Sequence, residues 1–172
     1  MTWTNEDGLV VRFGTERSDS ATSGQVAAIK EYIVLDLPDA TVLPTVSGGL
    51  LTVTGVYPAE DSPRIPANSV ITNAWMVATT DFTSAGAATL DIGLIDAAGA
   101  IIDIDGIAVD IALATLVDGA GVGVTGCAGA YVANAGAAGQ LVDADAWPVF
   151  TYVAAAYTAG AGKLIVEYIK VA

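Results

Sequence analysis

The densest acidic cluster in the chain is Asp103-Ile104-Asp105-Gly106, with Asp110 close behind. Carboxylates two residues apart before a glycine form part of a calcium loop, because a hard cation needs several oxygen ligands held around a tight turn. The complete loop also needs a third ligand two residues on and a terminal glutamate, and neither follows here. Asp91 with Asp96, and Asp143 with Asp145, repeat the same partial signal. Paired carboxylates also serve glycosidases, one as general acid and the other as nucleophile or base. Nothing in the sequence marks either member of a pair as the acid, and 7% aromatic residues is thin for a sugar-lined cleft. Aspartates in turns or on the open face of a strand account for all these positions. No catalytic residue and no metal site is therefore expected, with weak calcium binding by Asp103 and Asp105 left open.

The other groups that enzymes use are missing from most of the chain. Between Arg64 and Lys163 there is no lysine, arginine, histidine or glutamate, and nine aspartates are the only acids. A chain with no histidine cannot build a Ser-His-Asp arrangement. Cys127, in GVTGCAGA, has no ordinary general base and reads as a small buried apolar residue. As the single cysteine, it also excludes an internal disulfide. The glycine strings GVGVTG and GAAG lack the Lys-Ser/Thr ending of a phosphate loop. The expectation is a protein that is not an enzyme, takes no cofactor, and works through shape and surface contact.

Charge and length narrow the partners. A formal net charge of −13 opposes direct binding to nucleic acid or to an anionic membrane, and favours solubility or docking to a basic surface. With 172 residues and 53% hydrophobic content, the chain can bury a sizeable core as one domain with an arm. No apolar run approaches the roughly 18–20 residues of a spanning helix. The N-terminal MTWTNEDGLVVRFGTE lacks a basic region followed by an apolar block, so synthesis in a cytoplasm without classical export is expected.

The elements that must carry these residues are strands. Residues 1–28 read as an extended arm with one short strand around Leu9, Val10 and Val11, flanked by Gly8 and Gly14. Its partner-binding candidates are Trp3, Leu9, Val10, Arg12, Phe13 and Arg17. Residues 29–172 read as a single domain. IKEYIVLDL stops at Pro38, LLTVTGVY ends at Pro58, and the proline-rich segment 58–69 is a fixed surface loop. VITNAWMVATTDF, a turn at SAGAA, and TLDIGLID follow. In TLDIGLID, Leu90, Ile92 and Leu94 alternate with Asp91, Gly93 and Ile95, which predicts one buried and one partly open face.

After the break at Ala97-Ala98-Gly99, residues 100–121 fit two strands or a strand and a short helix. Residues 119–139 are mostly Gly and Ala, with Val122, Val124, Tyr131 and Val132 as candidate strand residues. A further strand begins near Pro148, TAGAG at 158–162 turns the chain, and KLIVEYIKVA closes it. Seven to nine short strands separated by breakers predict an all-β, antiparallel sandwich or barrel. The aromatics Trp75, Phe82, Trp147, Phe150, Tyr152, Tyr157 and Tyr168 fall within these strands and read as core packing rather than a ligand-stacking patch.

Two segments resemble tailed-bacteriophage virion proteins. One is WPVFTYVAAAYTAGAGKLIVEYIKVA, with its Pro148 strand, Gly162-Lys163 and a closing strand through Glu167-Tyr168. The other is IPANSVITNAWMVATTDFTSAGAATLDIGLID, where Ile65-Pro66-Ala67 leads into a strand and Asp91-Ile92-Gly93 sits in the next. Together they cover roughly residues 65–96 and 147–172 and are similar to small head-decoration, or cement, proteins. The resemblance implies a jelly-roll-like fold, a homo-oligomer (often a trimer), the major capsid protein as partner, and a place on the outer capsid surface of the virion. It marks fold positions and transfers no functional residue. The competing expectation is a tail or fibre module that recognises host surface glycans, which would require Trp75 and Trp147 to be solvent-accessible.

Overall fold

The computed structural model describes residues 2–4, 10–12, 30–47, 50–51, 57–58, 61–118, 123–133 and 139–171. In chain order the strands are β1 (Thr2–Thr4), β2 (Val10–Arg12), β3 (Lys30–Leu37), β4 (Val46–Ser47), β5 (Leu50–Leu51) and β6 (Ser69–Ser84). They continue with β7 (Thr89–Ile95), β8 (Ile101–Ala112), β9 (Gly123–Gly126), β10 (Leu141–Val142), β11 (Trp147–Val153) and β12 (Tyr157–Lys170). The only helical turns among the described residues are short 3-10 turns at Ala40–Val42 and Leu113–Thr115.

The strands build an all-β, antiparallel sandwich. The larger sheet runs β10-β6-β12-β3, with β9 also on β6, and curls into a half-barrel. The smaller sheet runs β11-β7-β8. Between them lies one core, to which the large sheet gives Ile71, Met76, Leu164 and Val166 and the small sheet gives Leu90, Ile92, Leu94 and Phe150. These eight are all fully buried. Burying a side chain of this size contributes about 1.5–3 kcal/mol, so the inter-sheet layer dominates stability.

β3, β6, β7 and β11 lie where the breakers place them. Pro38 follows β3 directly, and the Asp96–Ala100 turn closes the β7–β8 hairpin. In that turn the Asp96 carboxylate accepts the N–H groups of Ala98 and Ala100, both at 2.8 Å. Gly99 supplies the left-handed residue with φ 78.

Three expectations need correction. The TAGAG segment does not turn the chain. The turn lies at Ala154–Ala155, with Ala154 at φ 78, and β12 runs unbroken through residues 158–162 with register shifts against β6. The glycines are there for close approach instead. A Cβ at Gly160 (φ 145) would meet the Phe82 ring at 2.7 Å, and one at Gly162 would meet the Val77 carbonyl oxygen at 2.2 Å.

β7 is buried on both faces rather than one. Its second face carries Ile95, which packs with Val46, Trp147 and Val149 in a separate cluster backed by Tyr57. Across the described residues 100–118 the strand-and-short-helix alternative holds, with β8 as one bulged strand and Leu113–Thr115 as a single 3-10 turn. Between Ile92 and Leu94 on β7, β8 advances from Ala108 to Asp103, which destroys any simple period. Finally, the described residues within 1–28 hold two short strands rather than one, β1 pairing β2 with Trp3 opposite Val11.

Candidate interaction surface

Three strands define the outer face of the large sheet. On β3 the burial alternates, so Lys30, Tyr32, Val34 and Asp36 point outward while Ile33, Leu35 and Leu37 turn toward the core. The register continues this face across the sheet in rows. Val34 lies opposite Ile165, which lies opposite Trp75, which lies opposite Gly126. Val34 is 46% exposed, while Ile165 and Trp75 are half-buried. No side chain of Gly126 stands over the indole, and a Cβ there would meet nothing within 4 Å.

Closed polar groups flank this apolar row on both sides. On one side Asp36 and Lys163 form an ion pair at 2.6 Å. On the other, the Glu167 carboxylate takes three partners. Lys30 Nζ sits 2.7 Å from Oε1, the Tyr32 hydroxyl donates to Oε2 at 2.7 Å, and the Thr72 hydroxyl donates to Oε1. Glu167 is 5% exposed, so without these donors its charge would be costly to bury. The Lys30, Thr72 and Tyr32 hydrogen bonds hold its carboxyl down to about 2. The same contact raises the pKa values of Lys30 and Tyr32. An apolar strip rimmed by satisfied polar groups is the anatomy of a protein-contact surface.

Of the aspartates singled out for chemistry, several serve the backbone instead. Asp91 accepts the N–H of Asp110 at 2.7 Å and Asp145 that of Ala67 at 2.8 Å, as Asp81 does that of Asp118 at 2.6 Å. Asp145 also pairs with Arg64 at 3.3 Å, fixing the entry to β6. Asp103 accepts the N–H of Asp105 at 3.2 Å within the β8 bulge, and the neighbouring Asp103 side chain raises the Asp105 pKa. No group of three metal-type side chains converges among the described residues. Cys127 is buried at 3% exposure, and desolvation pushes its thiol up to about 12. It fills the core, as a small apolar residue would.

The aromatics divide. Phe82, Trp147, Phe150, Tyr157 and Tyr168 are buried. Tyr157 makes edge-to-face contacts with Phe82 at 6.1 Å and Tyr152 at 5.7 Å between ring centroids. Trp147, at 6% exposure, cannot stack on an external ring, so the paired tryptophans required of a glycan-binding patch do not occur.

Of the candidates in the N-terminal segment, Trp3, Val10 and Arg12 lie in the β1–β2 pair, with Val10 opposite Thr4 and Arg12 opposite Thr2. Leu9, Phe13 and Arg17 lie outside the described residues. Sequence reasoning missed the sheet face because it treated Trp75 as core. The signal was the mixed parity of IKEYIVLDL and KLIVEYIK, where one set of alternate residues carries both charges and apolar groups. Comparison with protein families, with curated proteins and with solved structures finds no match to this chain.

Proposed function

We propose that this chain is a structural virion protein, a head-decoration (cement) protein that binds the outer surface of a tailed-phage capsid and strengthens it by contact. The single observation that carries the contact reading is the Val34–Ile165–Trp75 row, rimmed by the Asp36–Lys163 and Glu167 groups. A half-exposed apolar strip on a protein of net charge −13 is suited to docking on another protein rather than to bond-making. Placement on a capsid rests on the resemblance of residues 65–96 and 147–172 to decoration proteins, and the all-β sandwich is compatible with it. In this reading the major capsid protein is the partner, and the N-terminal segment adds a second contact to the sheet face. Many modest contacts repeated over a symmetric shell sum to high avidity.

The test is mass spectrometry of purified virions together with binding of the purified chain to expanded capsid shells. Presence in virions at a fixed ratio to the shell protein, with saturable binding to shells, supports the proposal. Absence from particles and no binding to shells overturns it. The glycan-recognising alternative loses ground on the burial of Trp147.

A further inference from the structure

The open edges of the two sheets are not treated alike. In the small sheet, the loop at residues 129–131 covers the edge of β8. Gly129 N–H donates to the Ile107 carbonyl and Tyr131 N–H to the Gly106 carbonyl, both at 2.8 Å. The outer edge of β11 is met by a bridge between Thr45 and Phe150, with Phe150 N–H donating to the Pro44 carbonyl at 2.9 Å. β3 differs. Among the described residues it pairs only with β12, in eight matched positions without a register shift, and no proline or bulge interrupts it. Long, uninterrupted edges of this kind are where another strand adds, and proteins usually blunt them.

Charge indicates what fits there. The three lysines of the chain, Lys30, Lys163 and Lys170, all lie on β3 and β12, where Glu31, Asp36 and Glu167 match them. These two strands are therefore neutral, whereas the whole chain carries −13. Two copies of so acidic a protein repel each other, and the matched charges of β3 and β12 lower that cost where these strands meet a second copy. We infer that a second copy of this chain pairs with it edge to edge, β3 antiparallel to β3 about a twofold axis, joining the two large sheets into one.

The register follows from the side chains. In an antiparallel pair, directly opposed residues share a face. Centring the axis on Ile33 sets Tyr32 against the partner's Val34 and Lys30 against the partner's Asp36, twice over. Each lysine then lies between two carboxylates, and the exposed Tyr32 and Val34, at 56% and 46%, cover one another. Sliding by one pleat in either direction loses both Lys30–Asp36 pairs. Such a contact is twofold, in place of the threefold that the decoration-protein resemblance implies.

The inference goes beyond the capsid-binding proposal and fails separately from it, since virion composition does not depend on which edge pairs. The experiment is native mass spectrometry of the full chain at micromolar concentration, with a register test by cysteine pairing. A dimer is expected, and Val34→Lys, at an exposed position, shifts it to the monomer mass while the circular dichroism spectrum is retained. Under mild oxidation, a mixture of Tyr32→Cys and Val34→Cys chains gives a disulfide-linked pair that Val34→Cys alone does not. A monomer, a trimer, a Val34→Lys protein that stays dimeric, or a dimer without the mixed cross-link each overturns the inference.

Discussion

The backbone N–H of Asp110 donates to the carboxylate of Asp91 at 2.7 Å, and Asp110 itself holds a left-handed conformation with φ 52. The bond pins the bulge where β8 fits two residues, Val109 and Asp110, against the single Asp91 of β7, between the Leu90–Ile111 and Ile92–Ala108 pairs. Burial raises the Asp91 pKa, the charge of Asp110 adds to this, and the Asp110 N–H opposes it. A raised carboxyl contributes stability below its unfolded pKa and loses it as pH rises through the folded value, so the ionised form is a cost at neutral pH. Asp91→Asn keeps an oxygen acceptor without the charge. It is expected to raise Tm at neutral pH, with the gain vanishing under acid. Asp91→Ala strands the Asp110 N–H and is expected to lose about 1–3 kcal/mol. Thermal melts of both variants across pH check the signs.

Glu167 has the opposite sign. Its pKa is lowered from 4.5 to about 2, so its contribution is present above 4.5 and lost as pH falls toward 2. Glu167→Gln cannot pair ionically with Lys30, so it is expected to melt lower than the parent at neutral pH. Its Tm should also fall less than the parent's over that acid window. Parallel melting curves for the two proteins across the window would show that the carboxylate carries none of the acid sensitivity.

The close approach at Gly162 admits no side chain. Its Cβ would lie 2.2 Å from the Val77 carbonyl oxygen, a backbone atom that cannot swing aside. Gly162→Ala is therefore expected to cost about 1–3 kcal/mol or more, by forcing β6 and β12 apart. Gly126→Ala, where a Cβ meets nothing within 4 Å, is the control and should change stability little. Denaturant titration of the pair separates steric cost from the general effect of replacing a strand glycine.

How much was legible follows from which interactions are local. Pro38 and the Asp96–Gly99 turn act on their own neighbours, so strand ends at β3, β7 and β8 could be read directly. TAGAG was misread because glycine signals both turns and tight contacts, and only the Phe82 ring and the Val77 carbonyl, both on β6, decide between them. The buried second face of β7 depends on Val46 and Trp147, which no local pattern joins to Ile95. The backbone-binding role of Asp145 likewise needs Ala67, far away in sequence. The Val34–Ile165–Trp75 row draws on three strands and their register, so it emerges only once the sheet is assembled.

The three tryptophans offer a direct probe of exposure. Trp147 is 6% exposed within the Val46–Ile95–Val149 cluster, whereas Trp75 is half-buried on the outer face. Acrylamide quenching is expected to leave a shielded emission component that disappears in Trp147→Phe and persists in Trp75→Phe. Loss of the shielded component in Trp75→Phe instead would reverse the assignment of inner and outer tryptophan.

The sheet face and the N-terminal segment make different predictions for capsid binding. Aromatic residues at the centre of a contact, ringed by polar groups, carry a large share of binding energy, and truncating one commonly costs about 2–4 kcal/mol. Trp75 occupies that position in the row, between Ile165 and Gly126. Trp75→Ala is thus expected to weaken binding to expanded shells by about 30-fold or more. Lys163→Ala, at the rim, should change mainly the salt dependence, because its pair with Asp36 is exposed. Trp3→Ala tests the N-terminal contribution alone. Strong loss with Trp3→Ala and none with Trp75→Ala would move the contact from the sheet face to the N-terminal segment. Losses in both, larger than either alone when combined, would show two contacts acting together on one shell.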